Sequence, residues 1–253
     1  MSGLILEIRS LCKVFGGVVA VNELDLAVAQ GSITAIIGPN GAGKTTVFNM
    51  ITGFIRPTRG AIRFGDREIQ SSPVYAIAEM GIARTFQNVQ IFPNLSVLEN
   101  VMVGRHLQSR SGFLASLLIP PFFRREEKEI REKAAHWLDF AGLGELARLS
   151  AASLPLGSQR ILEIARGLAM EPRMILLDEP ASGLNARETL AMGELIRKIR
   201  DMGITVVLVE HDMELVMDIS EQINVINFGS LIARGTPREV QLNPEVIAAY
   251  LGE

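Results

Sequence analysis

The chain has 253 residues, 25 of them basic and 28 acidic, so it carries a formal net charge of −3. At 48% hydrophobic residues it can bury a full core, which excludes wholesale disorder, while its one cysteine, Cys12, excludes a disulfide framework and fits a reducing compartment. The mildly acidic balance leaves no surplus of Lys and Arg to displace counterions, which argues against generic nucleic-acid binding.

The start, Met1 to Arg9, lacks the charged-then-apolar layout of a signal peptide. Leu4, Leu6 and Ile8 alternate with Ile5, Glu7 and Arg9, and Leu24, Leu26 and Val28 alternate with Glu23, Asp25 and Ala27. That period of two predicts a half-buried antiparallel sheet. Ile33 to Ile37, Met174 to Leu177 and Ile204 to Val209 are short apolar runs instead, as expected of strands covered on both faces. Helical stretches separate them, so the core is expected to be α/β with a parallel sheet.

From about residue 94 to 171 the texture is helical. Ile130, Ala134, Trp137, Leu138 and Ala141 recur at helical spacing over 126–141, with Glu127, Lys128, Arg131, Glu132 and Lys133 on the other faces. A second helix is expected to begin near Gly157 and to stop before Pro172. Leu107 to Arg125 reads as an inserted loop, packed on its own domain or offering an apolar surface to a membrane partner. It holds the longest apolar run, Phe113 to Phe123, which at 11 residues falls short of the roughly 18 a membrane span needs. At the C-terminus, Ile223 to Phe228 and Leu231 to Ala233 flank a Gly229-Ser230 hairpin signal. Thr236 to Glu239 has capping-box spacing, and Asn243-Pro244 starts another short helix.

Residues 38–46 read G-P-N-G-A-G-K-T-T, in which Gly38, Gly43, Lys44 and Thr45 satisfy the P-loop pattern. Glycines let successive backbone N–H groups converge on an anion. Lys44 sets a positive charge against β- and γ-phosphates, and Thr45 offers a hydroxyl to Mg²⁺. The helix that follows aims its positive end at the same phosphates. Met174 to Leu177 leads into Asp178-Glu179-Pro180, which puts Asp178 at a strand tip where it suits Mg²⁺ through water and leaves Glu179 to polarise an attacking water. His211, at the end of another buried strand, is the candidate sensor of the γ-phosphate.

G-P-N-G-A-G-K-T-T, the glutamine of T-F-Q-N, L-L-D-E-P and E-H-D, in this order over almost the whole chain, resemble the ATP-binding subunit of ABC transporters. The stretch E-I-A-R-G-L-A-M-E-P-R-M-I-L-L-D-E-P strengthens that likeness. F-G-G-V-V-A-V-N, N-V-M-V-G-R-H, V-E-H-D-M-E-L-V-M and the ending A-A-Y-L-G look like the LivG type of branched-chain amino-acid importer ATPase. The resemblance implies a P-loop NTPase core with an N-terminal antiparallel β subdomain and an inserted α-helical subdomain. The expected division is 1–86 for the first part of the core, 87–171 for the helical subdomain and 172–253 for the second part.

It also implies site residues. Phe15 matches the aromatic that stacks on adenine, and Asn40, Gly41 and Thr46 fall within the phosphate loop. Gln87 matches a glutamine that contacts Mg²⁺ and links the ATP site to transmembrane subunits. Glu179 matches the catalytic base and His211 the switch histidine. Ser182 to Asn185 match the loop that communicates with the opposite subunit, with Asn185 where an Asp is usual. The signature L-S-G-G-Q is L-P-L-G-S at 154–158: Leu154 and Gly157 are kept, while Pro155 brings neither hydroxyl nor N–H.

ATP and Mg²⁺ are the implied ligands. The implied partners are a second ABC ATPase subunit, identical or different, two transmembrane permease subunits and, indirectly, a solute-binding protein, with no nucleic acid. The place is the cytoplasmic face of the cell membrane, and the site that uses 154–158 is expected to be the weaker of an asymmetric pair. A lipid or lipopolysaccharide export ATPase is the rival reading. A nucleic-acid ABC ATPase would carry a long coiled coil, and a GTPase would carry N-K-x-D; neither pattern occurs here.

Overall fold

The computed structural model describes residues 3–106 and 121–251. These fall into two compact units, Met1–Arg84 with Arg173–Glu253, and Thr85–Pro172. The first unit opens with β1 (Leu4–Phe15), β2 (Val18–Ala29), β3 (Ile33–Ile37), α1 (Lys44–Ile51), β4 (Arg59–Phe64), β5 (Arg67–Glu68), α2 (Val74–Glu79) and β6 (Ile82–Arg84). Antiparallel pairing joins β2, β1, β4 and β5, in that order, into the expected N-terminal sheet. Leu24, Leu26 and Val28 are buried while Glu23 and Asp25 are exposed, as the alternation predicts. β1 departs from its alternation: Leu4 is 48% exposed and Ile5 is buried. The reason is a register shift against β2 between Leu4 and Leu6, which turns the strand locally.

The second unit is helical. Ser96 and Glu99 cap α3 (Val97–His106) reciprocally, the Ser96 hydroxyl accepting the Glu99 N–H at 3.2 Å and the Glu99 carboxylate accepting the Ser96 N–H at 2.8 Å. α4 spans Pro121–Phe140. Residues 121–125, expected to be loop, are therefore helical, since Pro suits the first position of a helix. The rest of that expected insertion, 107–120, lies outside the described residues. Ile130, Ala134, Trp137 and Leu138 are buried, and Glu127, Lys128, Arg131 and Glu132 are exposed, so the helical spacing reads the buried face correctly. α5 (Leu156–Leu168) starts where expected and stops before Glu171, whose φ of +52° is incompatible with continuing the helix.

The first unit resumes with β7 (Met174–Asp178), α6 (Ala186–Asp201), β8 (Thr205–Val209), α7 (Met213–Ile219), β9 (Gln222–Asn227), β10 (Ser230–Gly235), α8 (Pro237–Gln241) and α9 (Pro244–Leu251). Among the described residues its larger sheet runs β10-β9-β3-β8-β7-β6, parallel except for the β9–β10 hairpin. Every residue of β3, β7 and β8 is buried, which is why these strands read as continuous apolar runs. The register pairs Ile36 with Val209 and Asp178 with Val209. The loops after β3, β7 and β8 therefore leave one edge of the sheet together, at the carboxyl ends of parallel strands, where ligand crevices form.

Candidate functional site

The loop Gly38 to Gly43 joins β3 to α1. Gly38 has φ +154° and Gly43 φ +103°. A Cβ at Gly38 would stand 2.0 Å from the Ile226 carbonyl oxygen, and one at Gly43 would stand 2.4 Å from that of Ala20. Glycine is thus required twice over, by conformation and by space. The loop is tied on its outer side: the Gly229 N–H donates to the Ala42 carbonyl at 3.0 Å, and the Asn22 N–H donates to the Gly229 carbonyl at 2.9 Å.

Lys44 opens α1 and is 6% exposed. Its ammonium donates to the carbonyls of Gly38 at 2.7 Å and Pro39 at 3.0 Å. Burial pulls the amine below the ordinary lysine range, and the carboxylates of Glu179 and Asp178 oppose that shift. α1 has neither a side-chain cap nor an acid in its first turn, so its leading amides stay available to an anion. Asn40, Gly41 and Thr45 are exposed, and Thr46 is half-buried.

At the tip of β7, Asp178 is 3% exposed, and its Oδ2 accepts the Arg84 guanidinium at 2.8 Å. Glu179 takes φ +51°, a left-handed backbone that a non-glycine residue seldom adopts. Its N–H donates to the Val209 carbonyl at 2.8 Å, and its Oε1 lies 3.1 Å from His211 Nε2. Sequence reasoning passed over Glu210, yet this buried carboxylate accepts the N–H groups of Ala181 at 2.7 Å, His211 at 2.8 Å and Asp212 at 3.2 Å. It thereby holds the turns after β7 and β8 together. The E-H-D run could have shown it, as an acid placed directly at a strand end. Asn185 caps α6 by accepting the Glu188 N–H at 3.1 Å, a task open equally to Asp.

Phe15 ends β1 and is 46% exposed, with the Lys13 ammonium 4.8 Å from its ring centre. In the helical unit Gln87 is exposed. Leu154 is buried, and its carbonyl accepts the Gln159 side-chain amide at 2.8 Å. Pro155 is the N-cap of α5 and Gly157 is buried in its first turn. Glu163 on α5 accepts the Phe86 N–H at 3.2 Å, beside Gln87, and burial raises its carboxyl to about 7 against the pull of the Phe86 amide and Arg166. Among the described residues there is no group of three or more His, Cys, Asp or Glu arranged to hold a metal. One carboxylate and one hydroxyl near a phosphate loop fit Mg²⁺, which takes most of its ligands from phosphate oxygens and water.

The profile of the ABC transporter family matches residues 21–182, and the chain belongs to that family. Residues 230–253 match a second profile, described as branched-chain amino acid ATP-binding cassette transporter. The chain is 51% identical to the high-affinity branched-chain amino acid transport ATP-binding protein BraF of Pseudomonas aeruginosa, over 100% of both chains. It is 47% identical to LivG of Escherichia coli K12, again over 100% of both. It is 34% identical to the lipopolysaccharide export ATP-binding protein LptB of Acidithiobacillus ferridurans, over 98% of this chain and 97% of the relative. Its structure superposes on the ADP conformation of an ATP-binding cassette from an ABC transporter with a TM-score of 0.87, at 32% identity over 99% of this chain and 100% of that one.

Proposed function

We propose that this chain binds and hydrolyses ATP as the motor subunit of an ABC importer for branched-chain amino acids. The observation that carries the ATP site is the buried Lys44 ammonium, clasped inside a glycine loop and facing the carboxylates of Asp178 and Glu179. Two backbone carbonyls neutralise the amine only in part, so a triphosphate is a better partner. Full-length identity of 47–51% to importer ATPases supports the solute class, against 34% to the lipopolysaccharide exporter.

Each residue takes a role in this reading. Lys44 and the α1 amides hold the β- and γ-phosphates, with Gly38, Asn40, Gly41 and Gly43 shaping the loop. The exposed Phe15 ring offers a face to adenine. Glu179 accepts a proton from water as that water's oxygen bonds to the γ-phosphorus and the bond to the β–γ bridging oxygen breaks. His211, paired with Glu179, orients that carboxylate and meets the γ-phosphate. Thr45 and Asp178 serve the Mg²⁺ that when bound neutralises charge on the phosphates, Gln87 is given the same role by the family resemblance alone, and Thr46 belongs to the phosphate loop. Leu154 seats the start of α5, and Gly157 presents an N–H to the nucleotide of a second ATPase subunit. Binding energy realised only in the closed pair drives two membrane permease subunits, fed by a solute-binding protein, at the cytoplasmic face.

Lys44→Ala tests this. Retention of ATP on the purified chain should fall at least tenfold, and unchanged retention would overturn the ATP site. Co-purification with permease subunits, followed by ATPase stimulation by a solute-binding protein loaded with leucine, tests the solute class. Stimulation by a lipid-extraction complex instead would replace it.

A further inference from the structure

The Arg84 side chain, at the end of β6, is 6% exposed, and that of its partner Asp178 is 4% exposed. Its guanidinium joins several side chains. One nitrogen donates to Asp178 Oδ2 at 2.8 Å, while the other donates to Asn49 Oδ1 at 2.7 Å and to the Thr52 hydroxyl at 3.1 Å. The guanidinium carbon stands 5.6 Å from the ring centre of Phe48 and 5.8 Å from that of Phe54, so aromatic faces fix the plane of the fork. Asn49 and Phe48 lie on α1, the helix that Lys44 opens, and Thr52 directly follows it. Asp178 ends β7. One side chain therefore ties the helix behind the phosphate loop to the carboxylate on the neighbouring strand.

We propose that Arg84 is the positioning residue of Asp178: by holding Oδ2 it fixes the orientation of the carboxylate that serves the Mg²⁺ accompanying ATP. A buried pair of this kind is a poor source of stability in itself, so its retention needs another reason. That reason is orientation. A carboxylate that acts on a metal through water must be held in one orientation, and a fork anchored on α1 does that. Lysine cannot replace it fully, because one ammonium cannot reach Asp178, Asn49 and Thr52 in a single plane. The inference rests on the ATP reading above and deepens it by naming what orients the metal-side carboxylate.

The test measures binding rather than turnover. A fluorescent ATP analogue is titrated onto the full chain, first in EDTA and then at fixed nucleotide with increasing Mg²⁺. For Arg84→Met, affinity in EDTA should stay within about twofold of the parent, whereas the half-saturating Mg²⁺ concentration should rise about tenfold. Arg84→Lys should recover part of the shift. Asn49→Ala, which leaves both charges in place and releases only the anchor, should raise it about threefold, and it decides the question if Arg84→Met does not fold. A half-saturating Mg²⁺ concentration that is unchanged or lowered in folded Arg84→Met, or unchanged in Asn49→Ala when only that variant folds, overturns the proposal. Failure of the parent chain to bind the nucleotide at any Mg²⁺ concentration would instead defeat the ATP reading.

Discussion

Two helices of this chain start in similar ways and differ in what surrounds the start. α1 and α5 both lack a side-chain cap and an acid in the first turn. α1 begins with a buried lysine inside a glycine loop that a backbone hydrogen bond fastens to Gly229. α5 begins with Pro155, an exposed Leu156 and a buried Gly157, without a cation in its first turn. A helix end alone contributes about 0.3–1 kcal/mol toward an anion at an exposed site. The difference teaches that α1 offers an anion a cation, a glycine loop and a helix end together, whereas α5 offers a helix end alone.

The comparison can be broken most strongly at Glu179. In Glu179→Gln, ATP turnover should fall about a thousandfold while nucleotide affinity holds, read by single-turnover kinetics beside equilibrium binding. Gly38→Ala attacks the loop itself. With a Cβ driven toward the Ile226 carbonyl, stability should drop by about 3 kcal/mol and nucleotide affinity should fall with it, measured by thermal melts with and without ATP.

On the α5 side, Glu163 offers a subtler probe. Burial lifts its carboxyl from 4.5 to about 7, so between those values the folded unit keeps a proton that the unfolded chain releases. Stability of the parent should therefore decline as pH rises through that window, by up to about 3 kcal/mol. Glu163→Gln should flatten the decline in melts from pH 4.5 to 8, and an unaltered profile would assign the pH dependence elsewhere. The smallest effect comes from restoring the start of α5. Pro155→Ser with Ser158→Gln should raise turnover about threefold, and a serine N-cap should add about 1 kcal/mol to the helix. No gain in turnover would end the idea that this segment limits one site of the pair.

Much of the fold was legible because its signals are local. The buried parallel strands declared themselves as apolar runs, the α4 face by helical spacing, and the β9–β10 hairpin and α8 by turn and capping residues. β5, α2 and β6 are too short for periodicity to register, and the bulge in β1 depends on a partner strand that the alternation of one strand cannot reveal. Within the candidate site, the residues of the GPNGAGKTT and DEP runs and His211 stood out because each lies at the end of a buried strand. Arg84 and Glu210 did not stand out. Their partners, Asn49, Asp178 and Ala181, are 29 to 94 positions away, and only the folded register brings them near.

The central place of β3 in the larger sheet bears on how the protein comes into being. A ribosome has translated the entire GPNGAGKTT motif when residue 46 of 253 is joined, but the strand under it has no flanks until β8 and β9 are made. Ile226, against which Gly38 is seated, belongs to β9 itself. A nascent polypeptide thus owns the sequence of a nucleotide clasp long before it owns the clasp, and the capacity to trap ATP waits on strands made far later in the chain.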